Sequence, residues 1–179
     1  MLESGGLCHL YWGDGKGKTT AAAGLAARVL GQGGRVFFAQ FLKGRPTGET
    51  ISLEKLGARV RRTPEVKKFW RDMSPGEREA CRKECGLCWA AAHEALAAAA
   101  GAGWDLVVLD EVTDAVGLGL LEEKEILEAV RSRAPACEVV ITGHRPGPQW
   151  QEAADYVTEM RCLRHPYNQG VAARRGVEY

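Results

Sequence analysis

Short apolar runs alternate with stretches of helical periodicity along most of the chain. The apolar runs span residues 7–12, 35–41, 106–109 and 137–143. Such runs are typical of parallel strands that are covered on both faces. Between them, apolar residues recur at steps of three and four, as on one face of a helix. The pattern predicts a three-layer α/β fold, in which helices cover both faces of a mostly parallel sheet of five or six strands.

Turn and capping residues divide this pattern into elements. Helices are predicted over 18–30, 51–56, 74–100, 122–133 and 149–154, and two further strands over 58–62 and 156–162. The longest helix begins with Ser74-Pro75-Gly76-Glu77, a capping box with proline at the first helical position. Because no repeat or linker divides the chain, we expect residues 1–179 to form a single domain.

Composition and charge exclude several classes of partner. A net charge of +1 gives no general basic field of the kind that attracts nucleic acid. No apolar run is long enough to span a bilayer, and the first residues lack the basic and apolar regions of a signal peptide. The sequence therefore predicts a cytoplasmic protein without a nucleic-acid or membrane partner, whose six cysteines are reduced.

Three of the cysteines raise the question of a metal site. Cys81, Cys85 and Cys88 have the spacing C-x3-C-x2-C, which also occurs in iron–sulfur sites, where the ligands lie on a loop. Here they fall in the longest predicted helix, and small or apolar residues continue the steps of three and four at positions 92, 95 and 99. We therefore expect the cysteines to pack in the core rather than to bind a metal.

A glycine-rich loop joins the first predicted strand to the first predicted helix. Its residues are Gly13, Asp14, Gly15, Lys16, Gly17, Lys18, Thr19 and Thr20. Glycines allow backbone N–H groups to turn toward an anion, and the helix N-terminus adds donors and the positive end of its dipole. Lys18 can reach phosphates, and the Thr19 hydroxyl can hold a magnesium ion.

The spacing of this loop is unusual, because Gly13 comes one residue later than the first glycine of the common phosphate-binding pattern. A glycine-rich turn without a ligand is the alternative interpretation. The position between a strand and a helix favours a phosphate-binding loop.

A pair of acids completes a candidate nucleotide site. Asp110 and Glu111 follow the apolar run 106–109, where a buried strand is predicted to end. Carboxylates at such a strand end, next to a phosphate loop, can hold magnesium directly or through water. Surface acids are the alternative. The residues alone predict an ATP- or GTP-binding domain without choosing among hydrolysis, phosphoryl transfer and attack elsewhere on the nucleotide.

Two further segments contain candidate ligand contacts. Lys43 and Arg45 follow the second predicted strand, at the edge where ligands bind in open α/β sheets. Contacts with an anion and two solvated charges are equally compatible with their sequence. Phe69 and Trp70 lie in an irregular stretch before the longest helix, where they could cover a flat apolar ligand. A loop anchored to the core by these aromatics is the interpretation that the residues alone favour.

Five stretches occur in a fixed order over nearly the whole chain. They are the shortened loop with its extra lysine, Gln40-Phe41-Leu42-Lys43-Gly44, Leu109-Asp110-Glu111, Ile141-Thr142-Gly143, and the ending from His165-Pro166 to Gly176-Val177-Glu178-Tyr179. Together they closely resemble the P-loop type of ATP:corrinoid adenosyltransferase of the cobalamin pathway. The resemblance implies a RecA-like P-loop NTPase domain.

The resemblance also implies a reaction, in adenosylcobalamin biosynthesis or salvage. In that family a corrinoid reduced to Co(I) attacks the 5′ carbon of ATP, and inorganic triphosphate leaves. By this resemblance, residues 13–20 bind the triphosphate, Lys18 and Glu111 act in catalysis, and Thr19, Glu111 and Asp110 hold Mg²⁺ or Mn²⁺. Arg28 matches a family arginine near the phosphates. Phe69 and Trp70 match aromatics that hold the corrinoid and displace its lower axial ligand.

The family resemblance also implies partner proteins, and this sequence differs from the family at two places. The resemblance implies a homodimer and a reduced flavoprotein as electron donor. His144 stands where the family usually has arginine, and Arg145 follows as a possible replacement. The two aromatics are adjacent here, whereas familiar members separate them by one residue. The alternatives from other classes are a small-molecule P-loop kinase or NTPase, which would release ADP, and a nucleotide-dependent carrier without turnover.

Overall fold

The computed structural model describes residues 5–43, 47–63, 70–98 and 103–177. Six strands and six helices follow one another in these ranges, with short 3-10 turns at Trp70–Asp72 and Pro166–Gln169. The strands are β1 (Cys8–Trp12), β2 (Val36–Gln40), β3 (Arg59–Arg62), β4 (Leu106–Asp110), β5 (Glu138–Gly143) and β6 (Tyr156–Glu159). The helices are α1 (Lys18–Gly31), α2 (Gly48–Lys55), α3 (Pro75–Ala97), α4 (Val112–Gly117), α5 (Glu123–Arg131) and α6 (Pro148–Ala153).

The six strands form one parallel sheet in the order β3-β2-β4-β5-β1-β6. Strand β5 therefore separates β1, which leads into the glycine-rich loop, from β4, which ends in the two acids. In a parallel sheet all carboxyl ends lie at the same edge, so the loop and the acids meet there. The predicted α/β fold with a parallel sheet of five or six strands is confirmed.

Helices cover both faces of the sheet and produce two main core clusters. On one face, side chains from α3 and α5 such as Leu96 and Ile126 pack against β4 and β5. On the other face, Ala22 and Ala26 of α1 pack against Phe38 and neighbouring strand residues. Strands β2 and β4 are buried along their whole length, as their continuous apolar sequences predict.

The three closely spaced cysteines lie in the core. Cys85 and Cys88 are fully buried and Cys81 is 9% exposed, and all three lie on α3. Burial raises the pKa of the Cys85 and Cys88 thiols to about 12, which disfavours the thiolate that a metal requires. In the part of the chain that the structure describes, no group of three or more His, Cys, Asp or Glu side chains could hold a metal ion. The core-packing prediction is confirmed.

Several element boundaries differ from those expected. Helix α4 was not anticipated from the sequence, and α2 begins at Gly48, three residues earlier than predicted. Strand β6 ends at Glu159 rather than at position 162, because the chain then turns over the glycine-rich loop: the Cys162 N–H donates to Asp14 Oδ1 at 3.1 Å. None of the helices within the described ranges is long and apolar enough to cross a membrane.

Candidate active site

The glycine-rich loop is pressed against the backbone that follows β6. The Gly15 N–H donates to the Met160 carbonyl oxygen at 2.7 Å, and the Gly13 N–H donates to the His144 carbonyl oxygen at 3.1 Å. A Cβ atom at Gly13 or Gly15 would collide with the Met160 carbonyl. Gly13 also has a φ of 111°, which favours glycine. Glycine is therefore required here by close approach as well as by backbone conformation.

Lys18 lies under the loop and is only 8% exposed. Its Nζ donates to the carbonyl oxygens of Gly13 at 2.7 Å and Gly15 at 2.9 Å. Burial lowers the pKa of Lys18, while the nearby carboxylates of Asp114 and Glu111 act in the opposite direction. The side chain is thus fixed at the loop, where an incoming phosphate can replace the two carbonyl contacts.

Asp110 connects three elements at the carboxyl edge of the sheet. Its side chain is fully buried, and Oδ1 accepts from the Thr19 hydroxyl at 2.9 Å and the Thr142 hydroxyl at 2.8 Å. Oδ2 accepts from Gln40 Nε2 at 3.0 Å. The residue after β2 also donates to Asp110, from the Phe41 N–H to the Asp110 carbonyl oxygen at 2.9 Å. Asp110 therefore orients the groups around it.

Glu111 follows in a conformation that is costly for a residue with a side chain. Its φ is 61°, in the left-handed region, and it forms the N-cap of α4. The Glu111 N–H donates to Thr142 Oγ1 at 2.9 Å, so one hydroxyl positions both acids. Burial raises the pKa of Glu111, with Lys43 opposing and Asp110 reinforcing the shift.

Lys43 brings a positive charge to these oxygens. Its Nζ lies 3.0 Å from Thr19 Oγ1, 3.0 Å from Glu111 Oε1 and 3.5 Å from Asp110 Oδ2. The three oxygens therefore already surround a cationic group. Hydroxyl and carboxylate oxygens are the donors that Mg²⁺ and Mn²⁺ prefer, so the residues fit a divalent cation.

Two cavities adjoin at this edge. The first is about 530 Å³ and is lined by residues 15–20, by Lys43 and by Gly176 and Val177 of the C-terminal segment. The second is about 400 Å³, and its walls include Leu42 and Leu118. Glu111 and His144 line both cavities, so they form the wall that the two cavities share.

His144 is held in this wall by Asp114. The His144 N–H donates to Asp114 Oδ1 at 3.1 Å, and the ring Nδ1 lies 2.9 Å from Asp114 Oδ2. This side-chain hydrogen bond raises the pKa of His144. Arg145 lines the second cavity. That Arg145 takes the role of the arginine that the family has at the position of His144 stays a prediction.

Of the remaining residues that the sequence suggested as ligand contacts, the two that the structure describes lie away from the loop and the two acids. Arg28 lies in the last turn of α1, about 15 Å along the helix from Lys18, and is not among the residues that line the first cavity. The structure does not bring it to the loop within one chain. Trp70 is partly buried and packs against Cys81, Cys85 and Leu120, with the Arg78 guanidinium 5.3 Å from its ring centre. Phe69 and Arg45 lie outside the described residues.

Sequence reasoning gave no role to several residues that organise the site. Gln40 and Thr142 both hydrogen-bond to Asp110, and Met160 closes over the loop. A signal for the first two was present, because each is a polar residue at the carboxyl end of an apolar strand. Their meeting at one acid depended on the order of the strands, which the sequence did not provide.

The sequence model of the family described as ATP:corrinoid adenosyltransferase BtuR/CobO/CobP matches residues 4–179. This chain belongs to that family. It is 35% identical over 175 residues to the corrinoid adenosyltransferase of Escherichia coli, with 97% of this chain and 86% of that protein covered. It is 35% identical over 178 residues to the corrinoid adenosyltransferase CobA of Salmonella typhimurium, with 99% and 87% covered. The Pseudomonas aeruginosa corrinoid adenosyltransferase is 34% identical over 175 residues, with 97% and 84% covered.

Among solved structures, an ATP synthase subunit, NeqB of Nanoarchaeum equitans, aligns with 93% of this chain and 48% of its own. The TM-score is 0.47 and the identity 13%, too weak a likeness to support an argument. The sequence relatives confirm the resemblance to corrinoid adenosyltransferases.

Proposed function

We propose that this chain transfers the 5′-deoxyadenosyl group of ATP to the Co(I) centre of a corrinoid and releases inorganic triphosphate. Membership of the corrinoid adenosyltransferase family supports the reaction class. The observation that carries the proposal is the pair of adjoining cavities that share Glu111 and His144. One cavity contains the phosphate-binding loop, and the other combines the apolar side chains of Leu42 and Leu118 with Glu111, Asp114, His144 and Arg145, so a nucleotide and a second substrate can meet at the shared wall.

The triphosphate occupies the first cavity in this proposal. Backbone N–H groups at the start of α1 face a bound anion, and Lys18 and Lys16 neutralise it. Lys16 Nζ donates to the Val177 carbonyl oxygen at 3.2 Å, so the C-terminal segment lies beside the loop. We assign phosphate binding to residues 13–20, in a domain that comprises residues 1–179.

The metal ligands would be Thr19 and Glu111, with Asp110 beside them. A bound Mg²⁺ or Mn²⁺ supplies positive charge that stabilises the departing triphosphate. Asp110 accepts a hydrogen bond from the Thr19 hydroxyl. The lone pairs of the Thr19 oxygen therefore point away from Asp110, toward the position of Lys43 Nζ. Thr142 fixes the Glu111 backbone through its hydroxyl oxygen. These contacts hold the proposed ligands in place before any ligand binds.

The balance of the reaction explains what the protein must supply. The electron pair of Co(I) forms the cobalt–carbon bond, and the triphosphate departs with the electron pair of the broken C5′–O bond. No proton is transferred in this step, so it requires no general base. The protein contributes alignment of cobalt and carbon and neutralisation of the leaving group.

The corrinoid side is assigned to the second cavity. Leu42 and Leu118 line this cavity and pack, with Trp70, against the cluster of Cys81, Cys85 and Leu120. Trp70 therefore belongs to the same apolar region as the cavity wall. We propose that Trp70 contacts the corrinoid on the side of its lower axial ligand, with Phe69 as a further contact.

The remaining parts of the proposal concern partners. The family resemblance implies a homodimer and a reduced flavoprotein as electron donor, and the sequence predicts a cytoplasmic location. Three large side chains on and after β6 are exposed, Tyr156 (51%), Leu163 (91%) and Tyr167 (73%), and a partner chain would have apolar surface to cover there.

An anaerobic assay tests the proposed function. The protein is mixed with ATP, Mg²⁺ and chemically reduced Co(I) cobalamin, the visible spectrum is followed, and the phosphate product is identified. We expect a light-sensitive alkylcobalamin spectrum together with inorganic triphosphate. ADP release that needs no corrinoid would contradict the proposal and would favour the kinase or NTPase alternative.

A further inference from the structure

The side chain of Lys43 lies where the proposed metal site would hold its cation. Its Nζ contacts the same three groups, Thr19, Glu111 and Asp110, at 3.0, 3.0 and 3.5 Å. Asp110 is fully buried and the Glu111 side chain is 19% exposed, so the two carboxylates are poorly screened by water. A positive charge between them removes the repulsion that they would otherwise exert on each other.

The backbone is built to place Lys43 at this point. Leu42 has a φ of 62°, and the Lys43 N–H donates to the Phe41 carbonyl oxygen at 2.8 Å, which closes a tight three-residue turn. A positive φ is unfavourable for leucine, so the surrounding structure must stabilise this turn. The Phe41 N–H is bonded to the Asp110 carbonyl oxygen, which ties the turn to the acid-bearing strand.

Electrostatics favour a charged lysine in this position. The carboxylates of Asp110 and Glu111 lie 3.5 and 3.0 Å from Lys43 Nζ, close enough to favour the ammonium form. Lys43 also lines the first cavity, with Lys16 and Lys18, so a triphosphate bound there would offer the amine a second set of anionic partners.

We propose that Lys43 is an internal counter-ion, which competes with a divalent cation for Thr19, Asp110 and Glu111 until a bound triphosphate draws it away. The inference rests on the proposed function, since it takes the triphosphate and metal sites as given. With Lys43 in place, the two carboxylates and the ammonium group have a net charge of only one negative unit, so they attract a divalent cation weakly. When Lys43 turns to the triphosphate, both carboxylates become available to the metal. Nucleotide and metal then bind cooperatively, and each strengthens the binding of the other by the same factor.

Mn²⁺ binding, measured by the loss of the free-ion electron paramagnetic resonance signal, tests this inference without any turnover. In the absence of nucleotide, Lys43→Met is expected to bind Mn²⁺ about tenfold more tightly than the wild type, within the usual range of coupling between sites. Because ATP itself binds Mn²⁺, the measurement with ATP uses ultrafiltration, in which the Mn²⁺ held by the protein is the excess retained over the filtrate. Under these conditions the two proteins should differ much less. Lys83→Met is the control, because it removes the same charge from an exposed position of α3 outside the site. Its Mn²⁺ affinity should stay within about twofold of the wild type.

A stability measurement keeps the test decisive if Lys43→Met folds poorly. Loss of the counter-ion should lower the melting temperature, and Mg²⁺ alone should raise it more in Lys43→Met than in the wild type. Lys43→Arg, which keeps the charge, should behave like the wild type in both measurements.

The outcomes separate the inference from the function on which it rests. Equal nucleotide-free Mn²⁺ affinity in the wild type and Lys43→Met would overturn the counter-ion role, while protein-bound Mn²⁺ that is present with ATP and lost in Glu111→Gln would preserve the metal site. Absence of protein-bound Mn²⁺ in every variant, even with ATP, would refute the proposed metal site and the counter-ion role together.

Discussion

The two cavities that meet at Glu111 and His144 are built in different ways. In the first, the polar groups are already engaged: Lys18 binds two loop carbonyls, and each carboxylate oxygen of Asp110 accepts at least one hydrogen bond. In the second, Leu42 and Leu118 form the apolar part of a wall that also contains Asp114, His144 and Arg145. Each side retains one buried polar atom without a hydrogen-bond partner among the described residues, Gln40 Oε1 beside Asp110 and Thr113 Oγ1 in the second cavity. Because more of its polar groups are already paired, the leaving-group side is the more preorganised of the two.

Removal of the loop lysine should have the largest effect. Lys18→Ala is expected to lower adenosyl transfer by about 10²–10³-fold, because a preorganised charge at the leaving triphosphate is lost. Steady-state rates with Co(I) cobalamin and ATP measure this effect. Lys83→Ala, at an exposed position of α3, is the control for loss of a lysine. Transfer at the normal rate by a folded Lys18→Ala protein would contradict the assignment of this cavity to the triphosphate.

Removal of the hydroxyl that positions both acids should come next. Thr142→Val deletes the donor to Asp110 and the acceptor of the Glu111 N–H while nearly preserving shape. The expected cost is about 1–3 kcal/mol of unfolding free energy, because two buried groups lose a partner. Turnover should fall as well. Urea unfolding and initial rates measure the two effects.

Thr158→Val is the matched control for this substitution, since Thr158 lies on the exposed strand β6. If Thr142→Val and Thr158→Val were equally stable and active, the preorganisation of the first cavity would not depend on Thr142.

Trp70→Ala tests the other side of the comparison. We expect a loss of severalfold or more in turnover from Co(II) corrinoid under a weak reductant, and a smaller loss from preformed Co(I), because displacement of the axial ligand matters only before reduction. Arg78→Ala is the control, because it removes the guanidinium above the ring and keeps the indole. Equal losses in both assays would refute the role of Trp70 in axial-ligand displacement.

The smallest effect is expected from His144, in the wall that the two cavities share, as a change in the pH dependence of the free energy of unfolding. Asp114 raises the pKa of His144 above 6.5, so the folded protein binds its proton more tightly than the unfolded chain. The resulting stabilisation is present in full below pH 6.5 and is lost as the pH rises through the folded-state pKa. Asp114→Asn and His144→Asn should each flatten this part of the stability profile. A profile unchanged by both substitutions would show that the pair does not titrate as the geometry indicates.

Local signals predicted the parts of the molecule that depend on neighbouring residues. The loop and the start of α1 follow from glycine spacing and the Gly-Lys-Thr sequence, and the start of α3 follows from its capping box, in which Ser74 accepts from the Glu77 N–H. The acids at the end of β4 were recognised because a continuous apolar run precedes them. In each case a few adjacent residues determine the structure.

Features that depend on distant residues were not predictable in the same way. Lys43 was equally compatible with a solvated charge, and its position among the acids depends on the left-handed turn at Leu42 and on the pairing of Gln40 with Asp110 between β2 and β4. Helix α4 begins at the strained Glu111, which no local propensity favours. Arg28 was expected near the phosphates from resemblance, whereas the length of α1 separates it from the loop within one chain.

The fate of the oxygen atom between C5′ and the α-phosphorus of ATP tests the central claim most directly. ATP carrying a heavy oxygen isotope at this bridging position is turned over with Co(I) cobalamin under anaerobic conditions, and the products are analysed by mass spectrometry. The account predicts that all of the label leaves with inorganic triphosphate, because the C5′–O bond breaks. Label retained on the nucleoside, or found in ADP, would mean that a P–O bond breaks instead and would contradict the account.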